Sequence, residues 1–214
     1  QTNILGTQNV VNLALKYSIE KVIFTSSDKA VNPTNVMGTS KLMAERIITS
    51  ANANSSSTIF SSTRFGNVLG SSGSVVPIFT KQILDGVPIT ITDLNMTRFV
   101  MSVHEAVNLI LKASEIALGG EVIITKMPVV KIRDLARSLN KIFMPDKDIQ
   151  MIEIGVKPGE KLYEELMTEE EMPRSLELES FFIVKPAYTG FYSHRSFDYE
   201  GIVNNHLTNP SVMI

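Results

Sequence analysis

The sequence contains no cysteine, which removes disulfide frameworks, thiol nucleophiles and thiolate metal sites together. Histidine is scarce: His104, His194 and His206 share no metal-ligand spacing, so a zinc centre is not expected either. A mean hydropathy of +0.11 without any long uninterrupted apolar stretch argues against a membrane span. The chain opens at Gln1 with no basic segment and no leader-like apolar run. An excess of one charge is lacking as well. With 20 basic and 22 acidic residues and a formal charge of -2, no nucleic-acid-binding surface is expected. The absence of cysteine is compatible with a reducing cytoplasm.

One further absence concerns a motif. A dinucleotide fold begins with a strand, a glycine-rich turn and a helix whose N-terminus holds the pyrophosphate, and an acidic residue further on takes the ribose. No such unit precedes Thr25. The glycine-rich loop at residues 66–74 follows a strand, but its spacing differs and it comes too late in the chain.

What is present alternates between two periods. Residues 2–17 read as an amphipathic helix, with Val10/Ala14 and Val11/Leu15 sharing faces, and residues 22–24 as a short buried strand. Residues 35–51 read as a helix and residues 58–65 as the next strand, an order that implies right-handed crossovers and a parallel sheet. Beyond Gly66 the pattern predicts helices over 76–84, 103–117, 131–143 and 161–167, and strands over 97–101, 121–124, 149–154 and 181–184. The helix over 131–143 is well signalled, because Ile132, Leu135, Ala136 and Leu139 fall at i, i+3, i+4 and i+7. After Pro186 periodicity dissolves and a loose tail is expected. Glu169-Glu170-Glu171 reads as a solvated helix end, and the ten methionines as packing.

The chemistry concentrates in Thr25-Ser26-Ser27-Asp28-Lys29 and Met37-Gly38-Thr39-Ser40-Lys41. The first lies at the C-terminal end of a strand, where an open α/β sheet places its ligands. In the second, Met37 and Lys41 are four residues apart on one helix face. A Ser-Asp-Lys cluster opposite a helical lysine resembles the active site of the extended short-chain dehydrogenase/reductase superfamily. Residues 27–41 are most similar to the nucleoside-diphosphate-sugar 4,6-dehydratases of bacterial polysaccharide biosynthesis. Read without that resemblance, the same residues make a solvated Asp-Lys ion pair beside a turn-capping serine.

The resemblance implies an α/β fold with a Rossmann-type parallel sheet, incomplete at the N-terminus, and a smaller C-terminal α/β substrate-binding part. Residues 1–69 would be the C-terminal half of an NAD-binding domain, with later segments returning to it. Residues 70–185 would mainly bind the sugar nucleotide, and 186–214 would be an irregular tail. Such a chain carries only the nicotinamide side of the NAD site and would be inactive in isolation. The implied activity is that of a lyase: NAD-dependent dehydration of a UDP-N-acetylhexosamine such as UDP-N-acetylglucosamine to a 4-keto-6-deoxy sugar. In it the C4 hydroxyl is oxidised, the C5 proton is removed, water leaves across C5 and C6, and the hydride returns to C6. A lysine base also permits inversion at C5.

In that chemistry Ser27 hydrogen-bonds near O4, Asp28 protonates the leaving hydroxyl and Lys29 removes the C5 proton. Lys41 holds the nicotinamide ribose, beside Ser26, Arg64 and Phe65 on the cofactor side. Asn67, Val75, Val76, Arg98, Lys157 and Glu160 take the sugar nucleotide. One departure matters. The superfamily's usual base is the tyrosine of Tyr-x-x-x-Lys, and here that position is Met37, whose thioether cannot exchange a proton. A methionine-containing branch of the dehydratases, often carried on larger membrane-linked proteins, shares the change. The O4 base is then Lys41, Asp28 or a bound water, and on the residues alone Met37 is simply core packing. Lys157 stands where arginine is common, which keeps charge but loses the bidentate fork. Taken singly, Arg98 pairs with Asp93 and Lys157-Pro158-Gly159 is an ordinary turn. The alternatives are a sugar-nucleotide 4-epimerase and a non-catalytic sugar-nucleotide-binding fragment. A homo-oligomer is implied, in the cytoplasm or at the cytoplasmic face of a bacterial inner membrane.

Overall fold

The computed structural model describes residues 1–71, 73–187, 196–205 and 207. A π-helical turn, Thr2–Gly6, leads into α1 (Thr7–Lys16), β1 (Lys21–Ser27), a 3-10 turn (Asp28–Ala30), α2 (Val36–Ala53) and β2 (Ile59–Phe65). There follow β3 (Asn67–Val68), α3 (Val75–Leu84), β4 (Ile89–Ile91), β5 (Thr97–Met101), α4 (Val103–Ile116), β6 (Val122–Thr125) and β7 (Val129–Lys131). The chain ends with α5 (Ile132–Phe143), β8 (Met151–Glu153), a 3-10 turn (Met172–Arg174), β9 (Ser175–Leu178), β10 (Phe181–Val184) and β11 (Ile202–Asn204).

These elements form two units. The first comprises Gln1–Phe65, Val107–Lys126 and Glu165–Ile214, and holds a six-stranded sheet in the order β1-β2-β6-β10-β9-β11. Strands β1, β2 and β6 are parallel, with Ser26 opposite Arg64 and Ser27 opposite Phe65. Strands β10, β9 and β11 continue the sheet antiparallel. The parallel half is the α/β sheet that the alternating pattern predicts. β2 lies between two neighbours, and every residue from Phe60 to Arg64 is buried, although four of the five are polar or charged. Val11 and Ala14 of α1 meet Ile48 and Ala51 of α2 over Phe60, which is how the amphipathic stripes of both helices are satisfied.

The second unit comprises Gly66–Ala106 and Met127–Glu164, with a three-stranded sheet β3-β5-β7 and the parallel pair β4-β8. Its core is Phe79 and Ile83 of α3 against Ile132, Ala136 and Leu139 of α5, with Ile89, Ile91, Met96 and Ile149. The i, i+3, i+4, i+7 stripe on α5 is the buried stripe of that helix.

Two expectations are corrected. No helix forms over 161–167, because the carbonyls it would use are taken by other donors. Arg98 takes those of Lys161 and Leu162, and the Thr97 amide also takes that of Leu162. The tail is not wholly irregular either. β11 pairs with β9, and Ile202 covers Leu176, Leu178 and Ile183. The rest of the tail, 188–195, 206 and 208–214, with His194 and His206, lies outside the described residues.

Candidate active site

β1 delivers its C-terminal residues to the end of the sheet, and the chain leaves through the 3-10 turn. Ser27 caps that turn by accepting the Lys29 amide on Oγ at 3.1 Å. The Asp28 side chain is 0% exposed and that of Lys29 31%, with Nζ 2.9 Å from Oδ1. An ordinary loop Asp-Lys pair is solvated; here the acid is entirely buried. Among the described residues, Asp28 Oδ2 has no hydrogen-bond partner, and neither has Ser26 Oγ. A buried polar atom left unpaired costs about 1–3 kcal/mol. Two of them stand at this one strand end.

Asn35 caps α2 by accepting the Gly38 amide at 2.9 Å. Met37 is 47% exposed, so the packing reading is corrected: the side chain faces outward in the first turn of α2. Lys41 Nζ donates to the Thr25 carbonyl at 3.0 Å and lies 5.1 Å from the centre of the Phe24 ring. Burial lowers the Lys41 pKa below its ordinary value, and the Glu45 carboxylate opposes that. Gly38 lets helix and turn approach, since a Cβ there would stand 2.3 Å from the Lys29 carbonyl oxygen. Asn32, at φ 42°, holds the left-handed conformation that asparagine tolerates. Its Nδ2 donates to both Glu165 oxygens at 3.2 and 3.0 Å.

Arg64 has a different task from the one expected. Its Nε and Nη2 donate to Glu45 at 3.0 and 2.8 Å, and Nη2 and Nη1 each donate to Glu171 at 2.8 Å. Nη1 also donates to the Leu166 carbonyl at 3.0 Å. All five guanidinium N–H groups are thereby used, and none is left on the side chain for a cofactor.

Glu171 is 1% exposed, which corrects the solvated-end reading for that residue, while Glu169 and Glu170 are exposed. Burial pushes its pKa up, but the hydrogen bond and charge of Arg64 more than reverse this and hold it at about 2. Burial opposes the charge on Arg64 too, yet Glu45 and Glu171 together hold that guanidinium above its ordinary value. The sequence did carry a signal for this cluster. An arginine inside a strand with a neighbour on each side needs buried partners for its charge, although it does not say which.

The expected sugar-nucleotide residues lie in the second unit. Asn67 pairs with Val100 at the start of β3, and Gly66 before it packs against β5. A Cβ on Gly66 would stand 2.8 Å from both the Phe99 carbonyl oxygen and Met127 Sδ. Val75 and Val76 open α3 and pack on its core. Arg98 is 7% exposed and does not pair with Asp93. It donates to the carbonyls of Thr97, Lys161 and Leu162, and its Nη2 lies 3.8 Å from Glu160. Lys157 is exposed on the same turn, where its carbonyl accepts the Glu160 amide at 3.0 Å. Arg98 and Glu160 are thus brought together, with Lys157 nearby in the chain. No cluster of metal-ligating side chains occurs among the described residues, and no helix there is long and apolar enough to cross a membrane.

Residues 1–186 match the family described as polysaccharide biosynthesis protein. An uncharacterized membrane protein of Methanocaldococcus jannaschii is 50% identical over 193 residues, which cover 87% of this chain and 58% of that protein. The capsular polysaccharide biosynthesis protein CapD of Staphylococcus aureus is 48% identical over 174 residues, 80% of this chain and 29% of that one. A UDP-glucose 4-epimerase of Rickettsia rickettsii is 43% identical over 183 residues, 85% and 53% of the two chains. The chain therefore spans from under a third to somewhat over half of these relatives. Among solved structures, Pen from Bacillus thuringiensis superimposes with a TM-score of 0.82 at 49% identity, covering 86% of this chain and 59% of that one. A Thermus thermophilus UDP-glucose 4-epimerase solved with NAD shares the fold at a TM-score of 0.64 and 20% identity, covering 75% of this chain and 60% of its own.

Proposed function

Because the chain belongs to the polysaccharide biosynthesis protein family, we propose that it carries the catalytic turn of an NAD-dependent sugar-nucleotide 4,6-dehydratase. Its substrate class is a UDP-N-acetylhexosamine and its product a 4-keto-6-deoxy sugar nucleotide for glycan or polysaccharide assembly. The observation that carries this reading is the buried Asp28, bonded to Lys29 at the end of a parallel strand. Elimination across C5 and C6 needs a base for one carbon and an acid for the leaving oxygen on its neighbour. Once one proton has passed from Lys29 to Asp28 across their 2.9 Å contact, Lys29 is the base and Asp28 the acid. Ser27 orients O4 from the same turn, with its backbone geometry fixed by its own cap.

The residues present fit NAD. Ser26 Oγ is buried and unpartnered among the described residues, and Lys41 uses one of its three N–H groups on Thr25, so both suit the hydroxyls of a nicotinamide ribose. When bound, the cofactor supplies the reversible oxidation at C4. Met37 exchanges no proton, so the O4 proton goes to Lys41, Asp28 or a bound water. In the second unit, Arg98 and Lys157 are the cations for the nucleotide diphosphate, Glu160 takes the uridine ribose, and Asn67, Val75 and Val76 contribute at the β3 and α3 starts.

A second reading, a 4-epimerase, is favoured by the 43% identity to a relative named as a UDP-glucose 4-epimerase. It needs only the O4 chemistry and leaves Asp28 and Lys29 without a task. One experiment separates the two. The full-length protein that carries this chain is incubated with UDP-N-acetylglucosamine and NAD in deuterated water and followed by proton NMR. A 4-keto-6-deoxy product with deuterium at C5, lost in Lys29→Ala, is the expected result. A C4 epimer without C5 exchange transfers the assignment to the epimerase, and binding without either product overturns both for this substrate.

A further inference from the structure

The turn that carries Asp28 and Lys29 is tied down at its start and at its end by different means. At its start, Ser27 accepts the Lys29 amide, and the Asp28 carbonyl accepts the Val31 amide at 3.0 Å. Ala30 and Val31 are 1% exposed, so the chain leaves a buried stretch at the next residue. That residue is Asn32, whose φ of 42° sends the chain towards Pro33 and the Asn35 cap of α2. Asparagine tolerates this left-handed conformation, but it persists only where the surroundings hold it.

Glu165 supplies that hold. Asn32 Nδ2 donates to both of its oxygens, at 3.2 and 3.0 Å, across 133 residues of sequence and within one unit of the fold. Asn32 is exposed, so water competes for its amide, and a hydrogen bond between two freely moving side chains there would contribute little. Glu165, however, is not free to drift. It is half-buried, and the two residues after it, Leu166 and Met167, are 1% and 0% exposed. The Leu166 carbonyl is gripped by the buried Arg64 guanidinium. The backbone on both sides of the pair is thus fixed independently of the bond, and forming it costs little further conformational entropy.

We propose that Glu165 is a positioning residue for the turn that bears Asp28 and Lys29: its carboxylate, fixed on the segment before β9, holds Asn32 in the left-handed conformation and so sets the path of that turn. On its α2 side the turn is already confined, because the Lys29 carbonyl lies where Gly38 leaves no room for a methyl. Glu165 secures the exit that α2 does not. The bearing of this on catalysis rests on the function proposed above; the hold on the turn does not.

The test exchanges donor and acceptor. Asn32→Asp keeps the shape and tolerates the left-handed conformation, but sets a second carboxylate against Glu165. Glu165→Gln keeps an acceptor for Asn32. The double variant rebuilds the pair in reverse, with glutamine donating to aspartate. In the full-length protein that carries this chain, hydrogen exchange is read by mass spectrometry on peptides over residues 27–33. It should quicken about tenfold in Asn32→Asp, as for one lost hydrogen bond to a charged group, and by less than about threefold in Glu165→Gln. The double variant should return to the Glu165→Gln level, and peptides over α5 should not change. With UDP-N-acetylglucosamine and NAD, kcat should fall about tenfold in Asn32→Asp and recover in the double variant, with KM little changed, because neither residue is placed at the sugar nucleotide. Exchange in Asn32→Asp equal to the parent's overturns the proposal, as does a double variant that exchanges as fast as Asn32→Asp. Faster exchange with kcat at the parent's level makes Glu165 a strut and overturns its part in catalysis. Should Asn32→Asp not fold, Asn32→Gly keeps the conformation and loses the donor, and unchanged exchange there overturns the proposal. A parent without turnover sinks the proposed function, and the exchange measurements alone then decide whether Glu165 holds the turn.

Discussion

Replacing Glu171 with glutamine withdraws one negative charge from Arg64 while keeping nearly the same shape. The carboxyl is held at about 2 in the folded chain against an ordinary 4.5. As pH falls, the unfolded chain therefore takes up the proton first. The stabilisation is complete above the ordinary value and is lost as pH falls through about 2. A gap of about 2.5 pH units at about 1.36 kcal/mol each gives roughly 3 kcal/mol at neutral pH. That is the lower end of the ~3–5 kcal/mol seen when one partner of a buried ion pair is removed. It is also a large part of the ~5–15 kcal/mol by which a domain is stable. Urea unfolding at neutral pH and along an acid series measures it. Glu171→Gln should lose about 3 kcal/mol at neutral pH and should lack the parent's acid-dependent loss, so that the two curves converge near pH 2. Equal stability at neutral pH, or a gap that persists undiminished in acid, would refute the reasoning.

Gly38→Ala places a methyl 2.3 Å from the Lys29 carbonyl oxygen, a backbone atom that cannot rotate away. The turn bearing Asp28 and Lys29 must shift, at about 1–3 kcal/mol. Urea unfolding should show this for Gly38→Ala and not for Gly6→Ala, where nothing lies within 4 Å of the new methyl; equal midpoints for both variants count against the close approach. Asn35→Ala removes the cap that accepts the Gly38 amide at 2.9 Å and should cost about 1 kcal/mol in the same assay. Asn35→Asp, which keeps the acceptor, should cost much less, and an equal loss in both would show that the cap is not what Asn35 contributes.

The parallel half of the sheet was legible because its signals are local. The apolar run before Thr25, the stripe on α2 and the stripe on α5 each lie within a single window of sequence. The turn at Asp28 was legible as chemistry but not as burial. Nothing in a Ser-Asp-Lys string says that the acid is closed off and the lysine half-open. The three-residue strands β4 and β7 are shorter than any window in which an alternation can be recognised. The helix expected over 161–167 failed because helical spacing does not register competition for its carbonyls, which distant Arg98 and the Thr97 amide win. Arg64 was misassigned for a related reason. Its place at a strand end suggested a ligand, whereas its carboxylate partners lie 19 and 107 residues away in sequence. Exposed Met37 is the reverse case, an apolar residue whose helical position suggested packing and whose side chain points outward.

Those two separations set an order of events in time. The contact between Arg64 and Glu45 closes a loop of 19 residues, and that with Glu171 closes one of 107. The longer closure costs about 1.5 kcal/mol more in chain entropy, and it cannot occur before residue 171 has left the ribosome. Until then β2, which pairs with the strand that bears the candidate catalytic turn, holds a guanidinium with only one carboxylate, and such a half-made pair is poorly suited to a dry interior. Consolidation of the site thus waits for a segment far beyond it in the chain. Nascent chains that stop short of that segment should keep β2 accessible to proteases and chaperones, even with every residue of the catalytic turn already synthesised.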